Sequence, residues 1–307
     1  MSTGNATRTA LSRTTLALIA AAATGVQVGA AITATRFVAA EISPASLAFL
    51  RYAIGVACLA PALWFARIRF ARADIVPIAL LGIGQFGVLI ALLNYGLKTA
   101  PAGRGALIFA SFPLLTLIVA AIVGHERITI AKLAGILLTL AGVALALGDK
   151  VTGAPSEAGS ISDSNAGSIL GEIAILAAAA TGALCSVLYR PYLRRYPTLP
   201  VSAFAMAAAA VALLIPAAFD DLGTAPAQLG SRAWAAIVFI GLSSGSFYVL
   251  WLWALKTIAA TRVTVFLALS PITAALLGAI FLDEPLTLAM VAGVACVAAG
   301  LWVANRE

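Results

Sequence analysis

Apolar residues along the chain fall into blocks of helix length, separated by short polar or basic clusters. The blocks cover residues 15–38, 44–66, 75–97, 103–123 and 130–147 and, after a polar interval, 168–189, 199–219, 232–255, 261–282 and 286–303. A bilayer core of about 30 Å is crossed by about 20 apolar residues of helix, so blocks of this length are read as spans. The pattern predicts an all-α membrane protein of ten transmembrane helices, five on each side of the interval. That interval, DKVTGAPSEAGSISDSNAG over residues 149–167, is rich in Gly, Ser and Asp and has no apolar period. It reads as a flexible linker between a first unit, 1–148, and a second, 168–307. The first block follows Arg8 and Arg13 and has small residues such as Ala34 near its end, as a signal peptide would. It is longer than a usual signal core and has a counterpart in mid-chain, so it is read as an uncleaved span.

Composition supports the same solvent. The 307 residues are 62% apolar and 10% charged, with a mean hydropathy of +1.05, more apolar surface than a soluble domain can cover. A net charge of +7 raises the question of a nucleic-acid partner, but Lys and Arg lie in short clusters between apolar blocks and form no continuous stripe. No nucleic-acid partner is expected. The excess reads as topology. With the N-terminus in the cytoplasm, Arg36, Arg51, Lys98, Arg104, Lys150 and Arg232 fall outside and the other thirteen of the 19 basic residues inside. The positive-inside rule then places both termini in the cytoplasm. Cys58, Cys185 and Cys296 each sit within an apolar block with no Cys-x-x-Cys or His neighbour, and are read as packing thiols.

The two halves are related. At a constant offset of 158, Lys98, Thr99, Arg104, Pro113, Glu126, Thr129, Gly135 and Gly142 fall on Lys256, Thr257, Arg262, Pro271, Glu284, Thr287, Gly293 and Gly300. AAATG at Ala21 to Gly25 also matches AAATG at Ala178 to Gly182. Five spans per half is an odd number, so equivalent residues must face opposite sides of the membrane. The expectation is two inverted five-helix repeats with a site near the bilayer midplane between them.

The segment LNYGLKTAPAGRGALIFASFPLLTLIVAAIVGHERIT, repeated as LWALKTIAATRVTVFLALSPITAALLGAIFLDEPLT, resembles the EamA module of the drug/metabolite transporter superfamily, and two such modules cover nearly the whole chain. The matching positions are Gly96, Leu97, Lys98, Pro113 and Glu126, then Ala254, Leu255, Lys256, Pro271 and Glu284. His125 and Arg127 flank the first Glu where the second copy has Asp283 and Pro285. Length and layout are similar to amino-acid and metabolite exporters of the YddG kind. The resemblance implies a transporter in a bacterial inner membrane, with a central cavity lined by spans 1, 3, 4, 6, 8 and 9 and with spans 5 and 10 peripheral.

Polar residues inside a membrane are costly and require a partner or a wet cavity. Gln27, Gln85, Asn94, Ser111, Ser244 and Ser270 lie deepest. Each could make an interhelical hydrogen bond or touch a solute. Ser244, Tyr248 and Trp251 follow helical spacing, giving one face with a hydroxyl and two rings; that face could instead pack in the core or face lipid. Gln27, Gln85, Ser244, Tyr248 and Trp251 are the candidate solute contacts. Gly25 with Gly29, and Gly241 with Gly245, are small-xxx-small pairs suited to close helix packing. Gly25 and Gly29 are also candidate hinges, together with Pro113 and Pro271, which are expected to kink spans 4 and 9 in mid-helix. Glu126 and Glu284 are expected to cap the helix that follows each. No Asp or Glu lies in the middle of a span, so the cavity is expected to be neutral, apolar and aromatic.

His125 has no metal-ligand companions, and no metal or cofactor is implied. H-E-x-x-H, Walker A and Gly-x-Ser-x-Gly patterns are absent from the sequence, so an enzyme or ATP-driven pump is not expected. The expected partners are the lipid bilayer and a small-molecule substrate, most simply an exported neutral or aromatic amino acid or related metabolite moved by alternating access. A sugar-phosphate or nucleotide-sugar carrier would need Lys98, Arg104, Lys256 and Arg262 to point inward. A non-transporting receptor or assembly subunit would give no flux.

Overall fold

The computed structural model describes residues 3–38, 41–66, 69–99, 108–146, 165–281 and 288–304, and all regular structure among them is helical. The elements are α1 (Thr3–Val38), α2 (Pro44–Ala66), α3 (Arg72–Gly82), α4 (Leu89–Thr99), α5 (Phe112–Ile122), α6 (Ile130–Ala146), α7 (Asn165–Leu188), α8 (Arg190–Arg195), α9 (Thr198–Phe219), α10 (Ala225–Gln228), α11 (Ser231–Thr257), α12 (Ala260–Thr264), α13 (Leu269–Phe281) and α14 (Leu288–Ala304). Among the described residues, six stretches are long and apolar enough to cross a membrane: Arg13–Thr35, Pro44–Pro61, Arg72–Leu93, Ile169–Arg195, Thr198–Phe219 and Ser231–Thr257. Phe112–Ile122, Ile130–Leu145, Ala260–Ala274 and Val291–Ala304 are shorter apolar helices. Large apolar side chains turned fully outward, among them Ile122, Ile130, Phe219 and Leu288, fit a lipid-facing surface and not an aqueous one.

Two helical paths are locally irregular. A π-helical turn at Ile83–Val88 joins α3 to α4, inserting an extra residue per turn and rotating α4 about the helix axis relative to α3. A 3₁₀ turn at Val265–Ala268 joins α12 to α13. Pro271 is the third residue of α13 and Pro113 the second of α5. Both therefore stand in the opening turn of an α segment, where a missing N–H costs little, and not in mid-helix as the sequence leads one to expect. Neither proline can bond the carbonyl four residues earlier, and the α-helical register is interrupted just before each of them.

The helices pack in a reciprocal pattern. α1 lies against α11 and against α13, while α7, which opens the second unit, lies against α4 and α5. α2 packs on α9 and α11, and α9 in turn on α3 and the π turn; α6 packs on α14. Exchanging the units maps this set of contacts onto itself. Between helices in lipid there is little hydrophobic driving force, so close backbone approach supplies the attraction. A Cβ on Gly142 would lie 2.8 Å from the Gly293 carbonyl oxygen, and one on Gly300 2.7 Å from that of Gly135. Equivalent glycines thus pair crosswise between α6 and α14, as an isologous contact requires.

Candidate functional site

The buried face of α11 carries Gly241, Ser244, Gly245, Tyr248 and Trp251. Its glycines admit α2: a Cβ on Gly245 would stand 2.9 Å from the Gly55 carbonyl oxygen, and one on Gly241 2.6 Å from Ile54 Cβ. This approach brings Arg51, one turn before Gly55, alongside Ser244. Arg51 Nε donates to Ser244 Oγ at 2.7 Å, and Ser244 Oγ donates to the Ile240 carbonyl at 2.5 Å. The Ser244 hydroxyl therefore has its hydrogen committed to the backbone and one lone pair to Arg51, and keeps a second lone pair. The guanidinium carbon also lies 5.5 Å from the centre of the Tyr52 ring, within range of a cation–π contact.

A row of rings leads inward from that point. Tyr52 and Phe86 are 4.7 Å apart between centres, Phe86 and Tyr248 4.4 Å, and Tyr248 and Tyr189 6.3 Å. The row crosses α2, the π turn, α11 and the end of α7. Near it, Gln85 Oε1 is buried without a hydrogen-bond partner, which native interiors rarely tolerate without a role, and the hydroxyls of Tyr189 and Tyr248 are buried beside one another. Gln27 from α1 donates to Ser243 Oγ at 3.0 Å, which uses one of its two amide hydrogens on the α1–α11 contact. Trp251 is buried in the same core cluster as Tyr52, Phe86, Tyr189 and Tyr248.

The proposed hinge glycines face elsewhere. A Cβ on Gly25 would run into the Phe266 carbonyl, and one on Gly29 would lie 2.5 Å from the Ser270 oxygen. Both serve the seam between α1 and the start of α13. The side chains of Asn94 and Lys98, and Arg104 and Glu284 entirely, lie outside the described residues. Lys256 Nζ turns to the Tyr196 carbonyl at 3.3 Å, an exposed contact away from the rings.

Polar contacts tie the end of α5 to α12. Glu126 accepts from Lys132 Nζ at 3.2 Å and, through its other oxygen, from the Thr261 N–H at 3.2 Å. It therefore caps α12 of the second unit, whereas the N–H of Lys132 in α6 is capped by the Thr129 hydroxyl at 3.3 Å. Gly124, with φ of 75° at the end of α5, makes the reversal that presents Glu126. Arg190 donates to the carbonyls of Leu255 and Ile258 at 3.3 and 3.1 Å. Asp74 accepts from Arg195 at 3.2 Å and from the Tyr196 hydroxyl at 2.7 Å. His125, Arg190, Pro191 and Arg194 line a cavity of about 100 Å³ here. Between the starts of α2 and α10, the Ser43 N–H donates to Asp221 at 2.8 Å. Burial would raise the Asp221 carboxyl, but hydrogen bonds from Ser46 and Ser43 outweigh it and hold the group below the usual carboxylate range.

Arg51 is the residue that sequence reasoning misses. Counting it as an outer-loop charge satisfies the topology rule, while its place within the Pro44–Pro61 span is the available signal. No sequence pattern marks the π turn.

The described residues thus form a multi-pass helical bundle with polar and aromatic side chains at its centre. The model of the EamA-like transporter family matches residues 15–148 and again 169–306, and the chain belongs to that family, within the drug/metabolite transporter superfamily. It is similar to a protein called an uncharacterized transporter from Archaeoglobus fulgidus, 29% identical over 91% of this chain and 95% of that one. It is also 30% identical to a probable terminal-alkyne amino-acid exporter from Streptantibioticus cattleyicolor, over 86% of this chain and 84% of that one. A solved crystal structure aligns with a TM-score of 0.76 at 25% identity, covering 96% of this chain and 97% of the other. These relatives and the family are transporters and not enzymes.

Proposed function

We propose that the chain exports small organic solutes, amino acids or related metabolites, across a bacterial inner membrane by alternating access. In this reading units 1–148 and 168–307 form ten spans as two inverted repeats, joined by the 149–167 linker, with both termini cytoplasmic. The observation that carries it is the reciprocal packing around a centre holding unpaired polar groups and a row of rings. Two such arrangements of one scaffold are what a carrier exchanges. The candidate contacts are Gln27, Gln85, Ser244, Tyr248 and Trp251, with Gly25, Gly29, Pro113 and Pro271 at the seams and bends where the units would rearrange. The name of the Streptantibioticus relative supports amino acids as the solute class. Counterflow of labelled amino acids into proteoliposomes tests the reading, with reporter fusions fixing the orientation. Absence of flux for every solute tried, or a cytoplasmic 149–167 linker, would overturn it.

A further inference from the structure

The sequence leads one to expect a neutral cavity, yet the Pro44–Pro61 span carries a guanidinium. Arg51 is the eighth residue of α2, about 10 Å along the helix from its start at a rise of roughly 1.5 Å per residue. Its Nε is satisfied by Ser244, which is itself held by its bond to Ile240. Both Nη groups remain, and no Asp or Glu among the described residues pairs with them. A cation at such depth is retained where it meets an anion or serves function. The Tyr52 ring offsets part of its charge but offers no acceptor for the N–H groups.

We infer that Arg51 is the anion-binding residue of the central site and that the solute presents a carboxylate to it. This rests on the transport reading above and narrows it. A planar fork of N–H donors matches a carboxylate in two parallel bonds. One guanidinium balances one negative charge, which fits a carboxylate better than a doubly charged phosphate monoester. The ring row beginning at Tyr52 offers an apolar and aromatic surface for the rest of the solute. Gln85 Oε1, next in the chain to Phe86 and without a donor, is an acceptor suited to an ammonium group. Carboxylate, ammonium and apolar side chain together describe an α-amino acid with an apolar or aromatic side chain. Ser244 becomes a positioning residue: it fixes Nε so that the remaining donors are free for the solute.

The test uses four probes that differ in their charged groups: L-phenylalanine, 3-phenylpropanoate, L-phenylalanine methyl ester and phenethylamine. Flux is measured in proteoliposomes and binding by ligand-induced shift of the unfolding temperature in detergent, for the wild type, Arg51→Gln and Arg51→Lys. The expected result is that the two carboxylates bind and that Arg51→Gln weakens both roughly 10- to 100-fold, the loss of a charge-assisted pair. Arg51→Lys should recover part of that affinity, and the ester and amine should be insensitive to residue 51. Equal handling of carboxylate and carboxylate-free probes by the wild type would overturn the inference while leaving transport intact. So would unchanged L-phenylalanine affinity in Arg51→Gln. Binding of 3-phenylpropanoate that depends on Arg51 without flux of any probe would instead overturn the transport reading alone. Should Arg51→Gln fail to fold, the wild-type comparison of L-phenylalanine with its methyl ester, and Arg51→Lys, decide between the same outcomes.

Discussion

Breaking the Glu126–Lys132 pair should weaken the contact between α6 and α12 that it supports, by an amount the structure allows to be worked out. The carboxylate side chain is 3% exposed and that of Lys132 11%, with 3.2 Å between nitrogen and oxygen. At an effective dielectric constant of roughly 20, two unit charges at that distance attract by about 5 kcal/mol before desolvation is set against it. Removing one partner leaves the other buried and alone, which costs about 3 to 5 kcal/mol. Glu126→Gln keeps an oxygen for the Thr261 N–H and should fall near 3 kcal/mol, while Glu126→Ala also orphans that donor and should cost about 1 kcal/mol more. Lys132→Met should cost about 3 kcal/mol. The double variant Glu126→Gln with Lys132→Met carries no lone charge, so it should be less destabilised than the sum by about 2 to 3 kcal/mol. Reversible unfolding in mixed micelles, followed by helix content, gives all four values. Additivity of the two single losses to within about 0.5 kcal/mol would refute the reasoning and reduce the pair to a surface contact.

Gly29→Ala would set a methyl group 2.5 Å from the Ser270 oxygen and 2.6 Å from Thr273 Cβ; forcing α1 and α13 apart should cost about 1 to 3 kcal/mol in the same unfolding assay, whereas Gly230→Ala, with nothing within 4 Å, should be neutral. Tyr248→Phe loses at most one neutral contact, to the neighbouring Tyr189, and should cost no more than about 1 kcal/mol, while Tyr248→Ala removes contacts with Phe86 and Tyr189 and should cost about 3 to 5 kcal/mol; competition assays on both variants should show solute preference changing for Ala first. Asp221 is held below its ordinary range when folded, so its contribution is present above the unfolded value of about 3.9 and is lost as the pH falls through the lower folded value. Stability measured across that acid range should decline in the wild type and decline less in Asp221→Asn.

The apolar blocks locate helices well where burial and caps agree. The block at 44–66 coincides with α2, whose N-terminus is set by Ser43 accepting from the Ser46 N–H and by Pro44 in the first turn. The path from Arg72 to Thr99 reads as one uninterrupted block, because a π turn changes hydrogen-bond register without changing hydropathy. Partners across the molecule are not legible either. Glu126 follows a turn and precedes a helix, which locally reads as a cap on that helix; only tertiary packing brings the N-terminus of α12 within its reach. Arg51 escapes for a related reason. A rule that counts charges by side assigns every arginine to a loop, and α2 carries this one well past the end of any loop. Ser244 and Tyr248 are legible because helical spacing places them on one face, but spacing does not reveal whether a hydroxyl is free or already engaged.

The crosswise glycines of α6 and α14 have a mechanical consequence. Gly135, Gly142, Gly293 and Gly300 bring the two backbones together, and Ile136, Val143 and Val297 are buried beside them. Such a joint should resist gradual slip, since sliding along it presses backbone against backbone. In whatever rearrangement opens the centre, these two helices should travel together as a strut, and the strain of the movement must be taken up where the backbone is already irregular, at Ile83–Val88 and Val265–Ala268.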